Sequence, residues 1–210
     1  MLEKVVNLAE KQIGTVEQPP RSNRTLFGEA YGANGVPWCV IFIWWLFCVL
    51  KLARLFYGGK RCASCSQLLE WAKETGQTVK PAEAQRGDVL FFNFNGGSTP
   101  EHCGMLRERA LQNGREVFYS IEGNTPLPKV DNDGVLEKPR YLSNIVAVWR
   151  PKYDNATDYD GRWSYSVIRE ALEDGALTGY PDGSFKPDKP VTREELAQFY
   201  VNIKKLGRVK

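Results

Sequence analysis

The clearest feature of the hydrophobic pattern is an almost unbroken apolar run at residues 38–50, which follows a turn signal at residues 35–37. The next charged residues, Lys51 and Arg54, are three positions apart and therefore share one stripe of a helix. The pattern predicts a buried helix over residues 37–57. Because a membrane-spanning helix needs about 20 apolar residues, the run indicates a core helix and no membrane span.

Shorter periodic segments predict two more helices in the first half of the chain. One spans residues 65–75 and begins with capping-box spacing at residues 64–67. The other lies at the N-terminus, and its apolar face consists of Val5, Val6, Ala9 and Ile13. Segments with strand-like composition then follow at residues 88–94, 102–107, 116–122 and 145–149. Helices followed by consecutive strands with short connections predict an α+β fold with an antiparallel sheet.

A second, smaller module is predicted at the C-terminal end. The composition shifts to Asp, Asn, Thr and Gly at residues 153–161, which predicts a linker between a domain at residues 1–152 and a module at residues 162–210. The module contains two apolar helical stripes, Trp163, Val167, Ile168, Ala171 and Leu172 in the first and Leu196, Phe199, Tyr200 and Ile203 in the second. Two short helices bury little area, so we expect the module to rest on the main domain or on copies of itself.

Composition narrows the possible function classes. The chain has 210 residues and a net charge of +3 without a basic run, which argues against a nucleic-acid partner and suits an anionic polymer. The N-terminus lacks the apolar segment of a signal peptide, so we expect synthesis in a cytoplasm without general secretory export. Five cysteines are an odd number and argue against a disulfide framework.

One cysteine and the single histidine are the residues from which covalent chemistry can be built. Cys39 falls in the first turn of the predicted core helix, where free N–H groups and the helix dipole favour a thiolate. The alternative is an inert core cysteine, because buried cysteines are common. His102 is the only histidine, which excludes zinc hydrolases built on two or three histidines. Any thiol–imidazole pair must therefore use His102.

Two polar residues downstream can complete such a pair. His102 begins a predicted strand directly after a Gly-rich loop, and Glu122 and Asn124 stand at the end of the next strand. Because they are two residues apart, Glu122 and Asn124 can face the same side of the sheet. Either side chain can hold the imidazole in the tautomer that a Cys–His site needs.

The remaining cysteines offer alternative chemistry. Cys65 also falls at a helix start, and Cys62 and Cys65 have the spacing of a redox pair, although no buried strand precedes them. Cys62, Cys65, His102 and Cys103 together supply the ligand number of a zinc site. However, His102 and Cys103 are adjacent on a strand and point to opposite faces, so they cannot readily share one ion. We therefore expect no metal and no cofactor.

Four motifs in residues 3–151 occur in the order Pro37-Trp38-Cys39-x-x-Phe42, Gly87-Asp88-Val89-Leu90-Phe91-Phe92, His102-x-Gly104 and Glu122-Gly123-Asn124-Thr125. Together they resemble the CHAP family of cysteine amidases and peptidases, within the papain-like, NlpC-type superfamily. The resemblance implies N-terminal helices packed on an antiparallel sheet. It also implies that Cys39 is the nucleophile and His102 the base, with Glu122 and Asn124 orienting the ring. Cys103 departs from the family, which usually has a small aliphatic residue there.

The tail resembles a second family. Gly175-Ala176-Leu177-Thr178-Gly179-Tyr180-x-Asp182-Gly183-Ser184-Phe185-x-Pro187 is followed by Val191-Thr192-Arg193-Glu194-Glu195. This order is similar to an S-layer homology module, a family that binds anionic, often pyruvylated, cell-wall polysaccharide. The resemblance implies that Arg193, Trp163 and Asp182 contribute to wall binding. Capping explains Thr192 and Glu195 without a ligand, but it does not explain Arg193. Such modules usually act in threes, which suggests a homotrimer through the tail.

The two resemblances together imply a peptidoglycan hydrolase, either an N-acetylmuramoyl-L-alanine amidase or a peptide endopeptidase. Its layout resembles that of a phage endolysin, which is made in the host cytoplasm and acts at the bacterial wall; a bacterial autolysin is the alternative origin. The alternative function is a catalytically inactive, wall-binding structural protein. This chemistry requires no metal. Asp131 and Asp133 can bind calcium, although a solvated turn is the simpler interpretation.

Overall fold

The computed structural model describes residues 1–153, 157–180 and 184–207. The chain forms two compact units, residues 1–154 and residues 155–210. The boundary lies within the segment at residues 153–161 whose composition changes. Among the helices in the described ranges, none is both long and apolar enough to cross a lipid bilayer.

The N-terminal unit has the predicted α+β architecture. Its helices come first, and six strands then form one antiparallel sheet in the order β1-β6-β2-β3-β4-β5. The helices are α1 (Leu2–Glu10), α2 (Leu26–Tyr31), α3 (Cys39–Val49) and α4 (Cys65–Glu74). The strands are β1 (Thr78–Val79), β2 (Val89–Phe92), β3 (His102–Gln112), β4 (Arg115–Pro126), β5 (Asp133–Arg140) and β6 (Ile145–Trp149).

Helix α3 is the buried centre of this unit, as its apolar sequence predicts. Eight of its 11 residues are buried, and Cys39 is its first residue. The helix ends earlier than the predicted residue 57, because Lys51 adopts a left-handed conformation with φ 60°. The Leu52 N–H then donates to the Phe47 carbonyl over 2.7 Å, which closes the helix end. Two single turns of 3-10 helix follow, at Ala53–Leu55 and Tyr57–Gly59.

The sheet is more extensive than the strand-like segments predict. Strands β3 and β4 continue into a hairpin whose two turn residues, Asn113 and Gly114, both have positive φ, the conformation that matches the twist of paired strands. Strand β5 was not predicted, because its sequence has few β-branched residues and contains a proline. It lies at the sheet edge, where a proline is tolerated.

Alternation along the strands gives the sheet two different faces. One face packs on α3; a Cβ added at Gly123 would come within 2.6 Å of the Trp38 ring and 2.8 Å of Phe42. The other face carries a second apolar cluster made of Ala84, Leu90, Phe92, Leu106, Phe118, Ile145 and Val148. On α1, the predicted face is buried except at Ile13, which lies beyond the helix end at Glu10 and is exposed.

The C-terminal unit contains α5 (Tyr165–Glu173) and α6 (Arg193–Lys205). The predicted apolar faces of these helices are only partly buried. On the first face Ile168 is buried, but Val167 is exposed and Trp163, which precedes α5, is 92% exposed. Helix α6, all of which the structure describes, has no buried side chain. Two helices are too few to enclose both faces.

Candidate functional site

The start of α3 is held in place by partners from distant parts of the chain. The Trp38 backbone N–H donates to Asn124 Oδ1 over 3.1 Å, and the Trp38 ring Nε1–H donates to Glu17 Oε1 over 2.9 Å. Glu17 is itself buried and also accepts from the Asn23 N–H. These bonds fix the first turn of α3, and with it Cys39, against the end of β4.

His102 and Glu122 form the polar centre of the site. His102 Nε2 lies 3.1 Å from Glu122 Oε2, and the Glu122 side chain is completely buried. Arg140 approaches the same carboxylate with Nε at 2.8 Å from Oε1 and Nη2 at 2.5 Å from Oε2. The Ser120 hydroxyl also donates to Glu122. A buried carboxylate needs such partners, because an isolated buried charge is strongly unfavourable.

A glycine makes room for this carboxylate. Gly104 lies two residues after His102 on β3, so both face the same side of the sheet. A Cβ built on Gly104 would come within 2.5 Å of Glu122 Cγ and 3.1 Å of the Ile121 carbonyl oxygen. Any side chain at this position would displace Glu122 from His102. The His102-x-Gly104 spacing therefore has a steric cause.

The pKa values of Cys39 and His102 shift in opposite directions. Hydrogen bonds with Cys103 and Cys65 lower the pKa of Cys39 well below its usual value; burial opposes this shift and His102 adds to it. Burial lowers the pKa of His102, but hydrogen bonds with Cys39 and Glu122 outweigh it and raise that pKa to about 9. Both shifts favour the pair of a thiolate and an imidazolium, the reactive state of a nucleophilic cysteine.

Glu122 stays ionised beside this pair. Burial raises its pKa, but hydrogen bonds from Arg140 and His102 outweigh burial, so the pKa lies below its usual value. An ionised carboxylate favours the protonated form of the neighbouring ring. Arg140 is the functional residue that the site prediction missed. The signal was available, because a carboxylate expected in a buried strand requires a counter-charge.

Two more thiols converge on Cys39. Cys65, the first residue of α4, has its Sγ 3.8 Å from that of Cys39, and Cys103 on β3 completes a buried trio whose sulfur atoms lie within 4.8 Å of one another. Hydrogen bonds with Cys39 and Cys65 and burial raise the pKa of Cys103 well above its usual value. Cys65 gains acidity from Cys103, but Cys39 and burial outweigh this and raise its pKa. From the sequence, Cys65 and Cys103 were considered together only in a zinc set with Cys62 and His102, so this cluster was not predicted.

Asn124 holds the start of α3. Its side-chain oxygen accepts the hydrogen bond from the Trp38 N–H, and the residue lines the same cavity as His102. Asn124 has φ 57°, and the pairing of β4 with β5 shifts register between Glu122 and Thr125. Such a bulge re-aims side chains. Here Glu122 faces His102, while Asn124 faces the start of α3.

A surface cavity of about 470 Å³ opens beside His102. Its lining includes the ring of His102 together with Phe94, Asn124, Lys138 and Arg140. The side chains of Phe94 and Phe92 also contact the Arg140 guanidinium, which lies 4.6 Å and 5.3 Å from their ring centroids. The cavity thus combines aromatic surface with the positive side chains of Lys138 and Arg140 and the negative one of Glu101. Cys39 is only 6% exposed.

The other predicted ligand sets do not assemble. Cys62 Sγ donates to the Ser64 carbonyl over 3.4 Å and is not part of the thiol trio. Asp131 forms an exposed ion pair with Arg21 at 2.9 Å. One of the two carboxylates considered for calcium is therefore already paired with a guanidinium. Burial and the nearby Glu17 raise the pKa of Asp133, which disfavours its ionised form. Within the described ranges, the thiol trio is the only cluster close enough to hold a metal.

In the C-terminal unit, the predicted binding residues are differently placed. Arg193 is the exposed first residue of α6, and the exposed Trp163 precedes α5. Asp182 lies outside the described residues. The capping box is present: Thr192 Oγ1 accepts from the Glu195 N–H at 3.1 Å, and Glu195 accepts from the Thr192 N–H at 2.8 Å. Capping therefore accounts for Thr192 and Glu195 and leaves Arg193 unused.

A cavity of about 560 Å³ also lies in this unit, lined by apolar residues of α6 and by Tyr180, Lys186, Lys189 and Glu195. The ammonium groups of Lys186 and Lys189 lie 4.4 Å and 4.8 Å from the centre of the Tyr180 ring. The Tyr180 hydroxyl donates to Glu195 over 2.7 Å. The cavity thus has two ammonium groups at an aromatic wall, and that of Lys189 is paired with Glu195 over 3.2 Å.

Residues 157–197 match the S-layer homology domain. Two proteins of Acetivibrio thermocellus are similar to part of the chain. One is a cellulosome-anchoring protein, 41% identical over 51 residues, which are 24% of this chain and 11% of that protein. The other is cell surface glycoprotein 1, 47% identical over 38 residues, 18% of this chain and 2% of that protein. The two alignments thus cover a small part of this chain and a still smaller part of each relative. No solved structure matches the chain significantly.

Proposed function

We propose that the C-terminal unit attaches the chain to the bacterial cell wall by binding an anionic wall polysaccharide. The match to the S-layer homology domain supports this, as do two relatives whose names describe anchoring and a cell-surface location. Arg193 is exposed and is not used by the capping box, so its guanidinium is free to pair with carboxylates or phosphates of the polymer. Lys186 and Lys189 add positive charge at the neighbouring cavity.

Binding of the full chain to purified bacterial walls tests this proposal. Arg193→Ala should weaken binding about tenfold, because one charge-assisted pair contributes about 1.4 kcal/mol or more. Lys204→Ala, which removes an exposed charge from the last turn of the same helix, is the matched control and should bind normally. Equal loss in both variants would indicate general charge attraction and would contradict a specific role of Arg193.

We propose that the N-terminal unit is a cysteine hydrolase that cuts an amide bond of peptidoglycan. The observation that carries this proposal is the chain of contacts from Cys39, at the start of α3, through His102 to the buried Glu122–Arg140 pair. This is the arrangement of nucleophile, base and orienting group that acyl transfer requires. The resemblance of the surrounding motifs to the CHAP family supports the same chemistry, and attachment to the wall would supply the substrate.

In the proposed reaction, the Cys39 thiolate attacks the amide carbonyl and forms a carbon–sulfur bond. The His102 imidazolium donates its proton to the leaving nitrogen as the carbon–nitrogen bond breaks. The neutral ring then takes a proton from water, which hydrolyses the thioester and regenerates the thiolate. The Cys39 backbone N–H, at the unpaired start of the helix, is placed to stabilise the oxyanion. Glu122 holds the ring and stabilises its positive charge.

The alternative is a wall-binding structural protein without catalysis. The family match favours it, because that match covers residues 157–197 and not the candidate site. Release of new amino groups from purified walls distinguishes the two functions. If Cys39 is the nucleophile, Cys39→Ala should lower the rate at least about 10³-fold. Cys62→Ala removes a thiol outside the site and should leave the rate unchanged. No release by the wild-type chain, or equal release by Cys39→Ala, would favour the structural role.

Mass spectrometry of the released fragments then separates the two possible reactions. An N-acetylmuramoyl-L-alanine amidase frees the stem peptide from the sugar, whereas an endopeptidase leaves part of the peptide attached. A homotrimer through the tail is a further part of this proposal, because Leu196 and Tyr200 on α6 are exposed. Sedimentation of the full chain should then give a trimer, and a strict monomer over a wide concentration range would contradict it.

A further inference from the structure

The mechanism proposed above uses one thiol of the buried trio and leaves the other two unexplained. Cys39, Cys65 and Cys103 come from α3, α4 and β3, three elements far apart in the chain. All three are buried, none forms a disulfide, and their sulfur atoms lie within 4.8 Å of one another. A single nucleophile needs no second or third thiol at contact distance. Their convergence therefore calls for a separate explanation.

The spacing of the sulfur atoms fits a thiophilic ion. Zinc binds thiolates at about 2.3 Å with tetrahedral angles, which places neighbouring sulfur atoms about 3.8 Å apart. Cys39 Sγ and Cys65 Sγ are separated by 3.8 Å. Since the remaining pairs lie within 4.8 Å, Cys103 needs to move by about 1 Å or less to complete three equal contacts.

Two helix N-termini adjoin the trio, because Cys39 and Cys65 are the first residues of α3 and α4. The positive end of a helix dipole favours a thiolate, which opposes the raised pKa of Cys65. His102 hydrogen-bonds with Cys39 from outside the trio, and its ring also contacts Glu122.

We propose that Cys39, Cys65 and Cys103 form a binding site for a thiophilic divalent cation, with Zn²⁺ as the ion that suits it best. This site differs from the set Cys62, Cys65, His102 and Cys103 that the sequence analysis rejected, because Cys39 takes the place of Cys62. The objection that His102 and Cys103 point to opposite faces also loses its force, since both contact Cys39 at the strand end.

Occupancy of this site has a direct chemical consequence. Binding requires the thiolate form of all three cysteines, so any proton on Cys39, Cys65 or Cys103 is released to solvent. Three metal–sulfur bonds form, and the lone pair of Cys39 that would attack a carbonyl is used for coordination. The metal-bound chain therefore lacks a reactive thiol, and removal of the ion restores it. The bound ion should therefore block alkylation of Cys39 as well as hydrolysis of the wall.

Titration of the reduced, metal-free full chain with Cd²⁺ or Zn²⁺ tests the site. We expect one ion per chain by elemental analysis, and with Cd²⁺ a sulfur-to-metal charge-transfer absorption. Loss of a residue that only supports a metal ligand weakens metal binding about 10–100-fold. Cys65→Ser and Cys103→Val each remove a proposed ligand itself and should therefore weaken binding by more than that. Cys62→Ser is the control and should bind normally. Normal binding by Cys65→Ser, or equal weakening by Cys62→Ser, would overturn the proposal, as would no charge-transfer absorption in the wild type.

A second measurement keeps the test independent of hydrolysis. Zn²⁺ should slow alkylation of Cys39 by iodoacetamide at least tenfold in the wild type, and a chelator should reverse this. In Cys103→Val, which keeps an apolar side chain in the buried position, Zn²⁺ should have little effect on the same rate. If this variant does not fold, as judged by circular dichroism, Cys65→Ser replaces it. Unchanged alkylation of the wild type at saturating Zn²⁺ would contradict coordination by Cys39 even in a chain without hydrolase activity.

Discussion

Helices α3 and α6 both carry apolar residues, but those of α3 are mostly buried and none of those of the fully described α6 is buried. Helix α3 is enclosed by the sheet and by aromatic side chains, and Phe42 is completely buried. Helix α6 has no buried side chain over its length, all of which is described, and Leu196 is 56% exposed. The first helix obtains its stability from burial. The stability of the second depends more on its capping box and on any surface that packs against its apolar face in solution.

The comparison shows what each unit needs in order to function. A nucleophile must be held within a fraction of an ångström, and a close-packed core provides that rigidity. A surface-attachment unit instead must present side chains to a polymer, so exposed apolar and basic residues are useful there. The side chains named for each function differ in the same way. Glu122 is buried among three partners, whereas Arg193 and Trp163 are exposed to solvent.

Truncation of one apolar side chain in each helix gives the largest expected contrast. Phe42→Ala should lower the free energy of unfolding by about 3–5 kcal/mol, because it leaves a cavity between α3 and the sheet. Leu196→Ala should cost about 1 kcal/mol or less, since most of that side chain is already exposed. Urea denaturation of the full chain measures both. A cost for Leu196→Ala as large as for Phe42→Ala would show that another surface covers α6 in solution.

Removal of the buried carboxylate should have a comparable effect on the N-terminal unit. Glu122→Ala leaves Arg140 and His102 without their shared counter-charge and should cost about 3–5 kcal/mol in the free energy of unfolding. Glu108→Ala breaks a half-exposed ion pair with Arg107 and is the control, with an expected cost of about 1 kcal/mol or less. Similar costs in the two variants would mean that the Glu122 cluster does not stabilise the fold.

Proton NMR can follow the titration of His102, because the chain has no other histidine. We expect a midpoint near pH 9, and a lower midpoint in Cys39→Ala, where the hydrogen bond with Cys39 is missing. The proposed hydrolysis should lose rate as the pH rises through about 9, because the leaving nitrogen then lacks its proton donor. A wild-type midpoint near 6.5 would exclude the thiolate–imidazolium pair.

The same two groups have opposite effects on stability. Folded His102 keeps a proton that the unfolded ring loses above about pH 6.5, so its contribution declines as the pH rises towards 9. Folded Cys39 has already lost the proton that the unfolded thiol keeps up to about pH 8.5, so its contribution declines as the pH falls. Where both contributions act, the two slopes have opposite signs, so the wild-type free energy of unfolding should depend less on pH than that of Cys39→Ala.

The smallest expected effect concerns the cap of α6. Thr192→Ala removes the side chain that accepts the Glu195 N–H and should cost about 1 kcal/mol. Ser164→Ala is a matched control, because Ser164 occupies the N-cap of α5 without a side-chain capping bond. Thermal unfolding followed by circular dichroism should show a lower midpoint for the first variant only. An equal change in both would contradict the role of the capping box.

Much of the N-terminal unit could be predicted from local pattern. The apolar run specified α3, and strand-like composition located β2, β3, β4 and β6, because burial selects both features. Strand β5 and the end of α3 at Lys51 were missed, since one depends on a sheet partner and the other on a single left-handed residue. In the tail, helical spacing predicted burial of Trp163 and Val167 that two helices cannot provide.

The candidate site was only partly accessible to the same reasoning. Cys39, His102 and Glu122 could be named from their positions at element ends, and the structure brings the last two within 3.1 Å. Arg140, Cys65 and Cys103 were not included, because their approach depends on tertiary packing across long sequence distances. Asn124 was included to orient the ring, and a bulge in β4 turns its side chain towards Trp38, beside the cavity that His102 also lines.

The bond between Asn124 and the Trp38 N–H has a consequence for how the chain tolerates change. Because of this bond, the position of the thiol at the start of α3 depends on the sheet and not on the loop at residues 32–37. Insertions in that loop should therefore leave the sulfur in place, whereas a change of one residue in the β4 bulge should move it. Sequence variation can accumulate in the loop, and redesign of the surface beside the site can begin there.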